Sequence, residues 1–99
     1  MINTKADDKM NRITIDCAQM ISREQTHDLL IRELSLPAHY GRNLDALHDC
    51  LTGITEPTNL SFLNVSEARE RLGGFARGLF RVLEDSAEEN PVLSVELTD

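Results

Sequence analysis

A chain of 99 residues has the length of one domain, enough to bury about 65% of the surface its unfolded form exposes. Seventeen acidic residues against ten basic ones give a net charge of −7. That balance disfavours nucleic acid and anionic membrane as partners and favours a basic one. Trp is absent and there are three Phe and one Tyr, so the core must be built mainly from Leu, Ile and Val.

Residues 1–11 (MINTKADDKMN) lack periodicity and read as a loose leader, with the folded domain expected over 12–99. No signal-peptide core stands near the N-terminus and no apolar run is long enough for a membrane helix, so the expected location is the cytoplasm. Cys17 and Cys50 are the only cysteines and form no Cys-x-x-Cys pair, which predicts reduced thiols and neither a redox pair nor a zinc site.

Arg12 to Cys17 alternates, with Ile13, Ile15 and Cys17 on one side, and predicts a first strand. Ser22 and Gln25 have capping-box spacing, opening a helix to about Leu34 that buries Leu29, Leu30 and Leu34. Leu60 to Val65 predicts a second strand. Ser66 is placed to cap a short helix, SEARERL, that halts near Gly73-Gly74. Phe75, Leu79, Val82 and Leu83 then mark an amphipathic helix. Asn90-Pro91 turns the chain into a third strand, Val92 to Leu97. Strands separated by helices imply parallel pairing with right-handed crossovers. The expected fold is a two-layer α/β domain: a small three-stranded parallel sheet, covered mainly on one face, with about four helices.

The most informative stretch is Leu36 to Gly53, LPAHYGRNLDALHDCLTG. Pro37 forbids helix upstream, and Gly41 is a residue that adopts positive φ freely. Asn43 is a candidate N-cap for a helix from Leu44 to Thr52, which Gly53 is placed to end. On a helical wheel Leu44, Leu47, Cys50 and Leu51 face the core, while Asp45, His48, Asp49 and Thr52 form a narrow polar stripe. Two carboxylates one turn apart repel, so pairing alone does not explain them. The stripe is either a solvated face with one favourable acid near the helix N-terminus or an acidic recognition face.

Catalysis finds little support in the residues. His27, His39 and His48 coexist with many carboxylates, yet no spacing gathers three or four metal ligands. Cys50 is expected to point inward, and Gly73-Gly74 leads into an apolar helix rather than a phosphate loop. The chain is expected not to be an enzyme and to use neither cofactor nor metal.

The segment LPxxYGxNLDALxDCLTG resembles the signature of the barstar family, intracellular inhibitors of microbial ribonucleases. The resemblance covers about residues 12 to 98, with strong identity only in the central segment. It implies a barstar-like domain whose acidic helix and loop enter a basic ribonuclease active site in place of substrate phosphates, as a monomer in a one-to-one complex and in a toxin-immunity role. By position Asp49 matches the central acid and Asp45 a second contacting acid. Tyr40, Gly41, Asn43, Thr52 and Gly53 match contacting or shaping positions. For Tyr40 half-core packing is an equal alternative, and Asn43 can be both cap and contact. His39 stands where a tyrosine is usual, and His48 and Ile54 replace two tryptophans. His39 and His48 are counted with the partner-binding set. Val82 and Ser86 fall where the family carries further acids, and Glu84, Asp85, Glu88 and Glu89 lie nearby. The lost aromatics leave open a second reading, a barstar-like scaffold reused to bind a partner other than a ribonuclease.

Overall fold

The structure is a computed structural model that describes residues 10–99. The leader expected over residues 1–11 lies outside the described residues as far as residue 9. Three strands, β1 (Asn11–Asp16), β2 (Thr58–Leu63) and β3 (Leu93–Leu97), form one parallel sheet in the order β1-β2-β3. Helices α1 (Arg23–Leu34) and α2 (Leu44–Thr52) connect β1 to β2, and α3 (Val65–Leu72) and α4 (Gly74–Glu89) connect β2 to β3. This is the α/β architecture that the alternation of apolar patterns predicts.

Period-2 alternation gives the sheet two unlike faces. The register places Asn11, Thr58 and Leu93 in one row, Ile13, Leu60 and Val95 in the next, and Ile15, Phe62 and Leu97 in a third. Leu60 and Phe62 are fully buried under the helices. The opposite face carries Arg12, Thr14, Asn59, Ser61, Ser94 and Glu96. Its polar groups bond across the strands, as when Asn59 Nδ2 donates to Ser94 Oγ at 2.8 Å. One face is therefore core and the other is open to water.

Several boundaries differ from the sequence expectation. The second strand starts at Thr58 and stops at Leu63, and Val65 belongs to the next helix. Asn64, not Ser66, caps that helix, in a left-handed conformation (φ 58°). Asn is one of the few non-glycine types that enters this region readily. Its side chain donates to Asp16 Oδ1 at 2.8 Å, tying the ends of β1 and β2 together. That bond and the Ala18 N–H hold the Asp16 carboxyl below the usual carboxylate range. Cys17 leaves the strand for a single 3₁₀ turn, Cys17–Gln19, where burial and then Asp16 push its thiol up to about 12. Ser22 caps α1 as expected, its hydroxyl accepting the Gln25 N–H at 3.1 Å. Gly73, at φ 54°, supplies the break between α3 and α4.

Two features of α4 govern where α2 sits. Gly78 lets the helices approach closely: a Cβ there would stand 2.9 Å from Leu44 Cδ1. At the other end Asn90 is buried, and its Nδ2 donates to the carbonyls of Leu51 and Ile54, both at 3.0 Å. Its Oδ1 accepts the Val92 N–H at 3.1 Å. One side chain thus holds the exit of α2, the end of α4 and the entry to β3. Asn90→Ala strips the Ile54 carbonyl and the Val92 N–H of this partner, while the Leu51 carbonyl keeps the Ile54 N–H at 3.3 Å; each group left unsatisfied costs about 1–3 kcal/mol. The expected loss of about 3 kcal/mol will appear as a lower denaturation midpoint with an unchanged urea m-value.

Candidate functional site

The site is the loop from Leu36 to Asn43 and the helix α2 that it leads into. A tight turn starts it, with the Tyr40 N–H donating to the Pro37 carbonyl at 2.9 Å. Asn43 is the N-cap: its Oδ1 accepts the Ala46 N–H at 2.8 Å, and its Nδ2 donates back to the Gly41 carbonyl at 3.1 Å. The left-handed residue of this loop is Arg42 (φ 55°), not Gly41. An arginine in that region is strained, and the strain persists because the surroundings fix it. Arg42 Nη2 donates to the Glu24 carbonyl at 3.1 Å and to Asp28 Oδ1 at 2.9 Å, fastening the loop to α1. Gly41 serves instead as close packing, since a Cβ there would lie 3.2 Å from Asn43 Nδ2.

Tyr40 is core, exposed by only 7%. Its hydroxyl lies 2.8 Å from His27 Nδ1 on α1 and 3.5 Å from the Asn43 carbonyl. With the imidazole neutral and its proton on Nε2, the hydroxyl donates to Nδ1. Phe75 closes the other side, its ring centroid 5.6 Å from that of His27 in an edge-on arrangement. Burial pushes the tyrosine up to about 12. Burial, then Arg42 and Arg23, hold the His27 imidazole below its usual 6.5.

The polar stripe of α2 divides into unlike parts. Asp45 and Asp49 are exposed, and neither carboxylate has a hydrogen-bond or ion-pair partner among the described residues. His48 is half-buried, with Nε2 3.1 Å from Glu89 Oε1 near the end of α4. The Thr52 hydroxyl turns back to donate to the His48 carbonyl at 2.8 Å, so only its lone pairs face outward. Gly53 caps the helix in a right-handed conformation, its N–H bonded to the Asp49 carbonyl at 3.1 Å. Cys50 is only half-buried, a correction to its expected place inside the core, while Leu47 and Leu51 are fully buried. Burial, then Asp49, raise its thiol, leaving it a poor nucleophile.

His39, Asp49, Gly53 and Ile54 line one side of an open groove beside the exit of α2. The loop and helix thereby bring His39, Gly41, Asn43, Asp45, Asp49 and Gly53 to the surface. Tyr40 is inside and supports them. Three residues of this construction escaped the sequence: Arg42 as the loop clamp, Glu89 as the partner of His48, and Asn90 as the anchor. Asn90 left only a turn signal, Asn-Pro after a helix. On α4, Val82 is half-buried, and the buried Ser86 hydroxyl has no hydrogen-bond partner among the described residues. No cluster of three or more His, Cys, Asp or Glu side chains among the described residues has metal-binding geometry. No helix among them is long and apolar enough to cross a membrane.

A capped acidic helix on this parallel sheet meets comparison with known proteins. The family model described as Barstar (barnase inhibitor) matches residues 10–97. The chain belongs to the barstar family. It is also 40% identical, over 81 residues, to a Bacillus subtilis (strain 168) protein named "Putative ribonuclease inhibitor YrdF", covering 81% of this chain and 89% of that one. In this barstar-family chain the acids of the central helix stand on a loop whose support is the neutral His27–Tyr40 pair.

That pair sets a pH dependence. Because the His27 pKa is lowered in the folded state, the unfolded chain takes up the proton first as pH falls. The stabilisation is present above the unfolded value of about 6.5 and is lost progressively as pH falls through that value towards the folded one. Chemical denaturation between pH 7.5 and 5.5 should show falling stability in the wild type and a flatter profile in His27→Gln, whose amide keeps a bond to Tyr40.

Proposed function

We propose that this chain is a non-catalytic inhibitor of a basic microbial ribonuclease, acting in the cytoplasm as a monomer in a one-to-one complex. Asp49 enters the enzyme's phosphate-binding site and Asp45 meets cations at its margin. His39, Gly41, Asn43, His48, Thr52 and Gly53 shape the surface around them, and Tyr40 acts from below. The observation that carries this reading is the pair of exposed carboxylates on α2, which no group of the described chain neutralises.

A ribonuclease active site collects Arg, Lys and His to hold a phosphate and to stabilise the charge of its transition state. A carboxylate held rigidly in that cluster offers the same charge without a bond to cleave. Rigidity matters because side-chain and loop ordering on binding subtracts from affinity. Asn43, the Arg42–Asp28 pair and Asn90 supply that rigidity before the enzyme arrives. Family membership and the name of the B. subtilis relative point to the same class of partner. His48 bonded to Glu89 is the feature that favours a reused scaffold with another partner, because an imidazole offers less apolar area than the aromatic anchors common at interface hot spots.

Titration against barnase-class ribonucleases separates the two readings. The purified chain should show no ribonuclease activity and should give a sharp one-to-one equivalence point with at least one such enzyme. Inhibition of none of them would favour the reused scaffold.

The mutational signature is equally definite. Asp49→Ala should weaken binding by about 3–5 kcal/mol, the cost of leaving buried cations unpaired, with its thermal unfolding intact. Asp45→Ala should cost less, because its surroundings stay wetter. In stopped-flow measurements, raising salt should slow association more than it speeds dissociation, since steering acts over the Debye length. A neutral Asp49→Ala with the fold preserved would defeat the mechanism.

A further inference from the structure

The groove beside α2 extends well past the acids of the helix. It has a volume of about 840 Å³ and runs from Asp49 and Gly53, past the C-terminal end of α1, to the first residues of β1. This is within the range of about 300–1,000 Å³ over which protein surfaces enclose whole small ligands. It therefore accommodates more than a single side chain. Its apolar lining includes Ile13, Leu34, Leu36 and Ile54, all partly buried against the core.

The charge around that apolar floor is lopsided. Among the described residues Glu33, Asp49 and Glu56 line it against one arginine, Arg12, with His39 the other basic side chain. Arg32 Nε engages Glu33 at 3.2 Å, and among the described residues the Glu56 carboxylate has one contact, from Asn11 Nδ2 at 3.5 Å. Among the described residues Asp49 has no partner and Glu56 has only that one. Apolar floor beneath carboxylate rim is the arrangement that suits a long basic side chain, whose methylene stem packs on hydrocarbon while its cation stays at the polar edge.

We propose that this groove is a second anchor point for the same ribonuclease, taking a surface segment that carries a Lys or Arg beside an apolar residue. The stem would lie over Ile13 and Leu36 and the cation would meet Glu56, while Asp49 remains in the enzyme's active site. The proposal rests on the inhibitor reading and names a further part of the partner's surface. Continuity supports it, because Asp49 belongs both to the recognition stripe and to the groove wall.

The test uses the full chain with barnase and a panel of basic ribonucleases of that class, comparing wild type, Asp49→Ala and Glu56→Lys. Glu56 is exposed, so the substitution should leave the melting temperature unchanged. Glu56→Lys is expected to weaken binding tenfold or more, with much of the change in the dissociation rate. The methyl resonances of Ile13 and Leu36 should shift when one equivalent of enzyme is added to the wild type. If Asp49→Ala abolishes inhibition while Glu56→Lys stays within twofold of wild type, the groove inference fails and the inhibitor reading stands. A loss confined to the association rate, with unmoved methyl resonances, means long-range steering only and also overturns the groove. If wild type binds no enzyme of the panel, both readings fall together.

Discussion

The position of one short helix depends on bonds made by its neighbours. Nine residues are too few to stay helical in water through propensity alone. α2 persists because Leu47 and Leu51 are buried and because each end is fastened by an asparagine. Asn43 takes up an amide at the start, and Asn90, from another part of the chain, takes two carbonyls at the exit. Gly78 removes the side chain that would otherwise hold α4 away from Leu44. Without these contacts the carboxylates would sit on a fraying segment, and their geometry would vary from molecule to molecule.

Local conflict concentrates at the same place. Asp45 and Asp49 repel along one face of α2, and only Asp45 lies in the first turn where the helix dipole favours an anion. Arg42 occupies a backbone region that arginine rarely enters, against the pull of its own Cβ. A loop chosen for stability alone would place glycine at that position. The chain instead uses a charged residue that reaches α1 and fixes the loop from outside, while His27 and Tyr40 fix it from within.

Much of this was legible from the residues. Alternation located all three strands, because one face of the sheet is buried and the other wet. Ser22 and Asn43 announced their helices, since each bonds an amide three residues ahead and needs no tertiary information. Errors arose where distant groups decide. Ser66 looked like a cap, yet the chain turns two residues earlier because Asn64 can bond Asp16 across the sheet. Gly41 looked like the left-handed residue, yet Arg42 takes that conformation for partners on α1. Asn90 read as a turn residue, and nothing local reveals that its amide reaches two carbonyls on the far side of the sequence. At the candidate site the acids were visible from the wheel, whereas the pairing of His48 with Glu89 required the packing of α2 on α4.

That Asp45 and Asp49 bond to no other side chain among the described residues has an evolutionary consequence. Residues that bond internally can change only together with their partners, so drift at Asn90 or Tyr40 is confined by folding. Among the described residues the two carboxylates carry no such tie. Substitutions there meet less resistance from folding than substitutions at the buried, bonded positions. Side chains along this helix can therefore change a few at a time while the scaffold beneath it stays untouched.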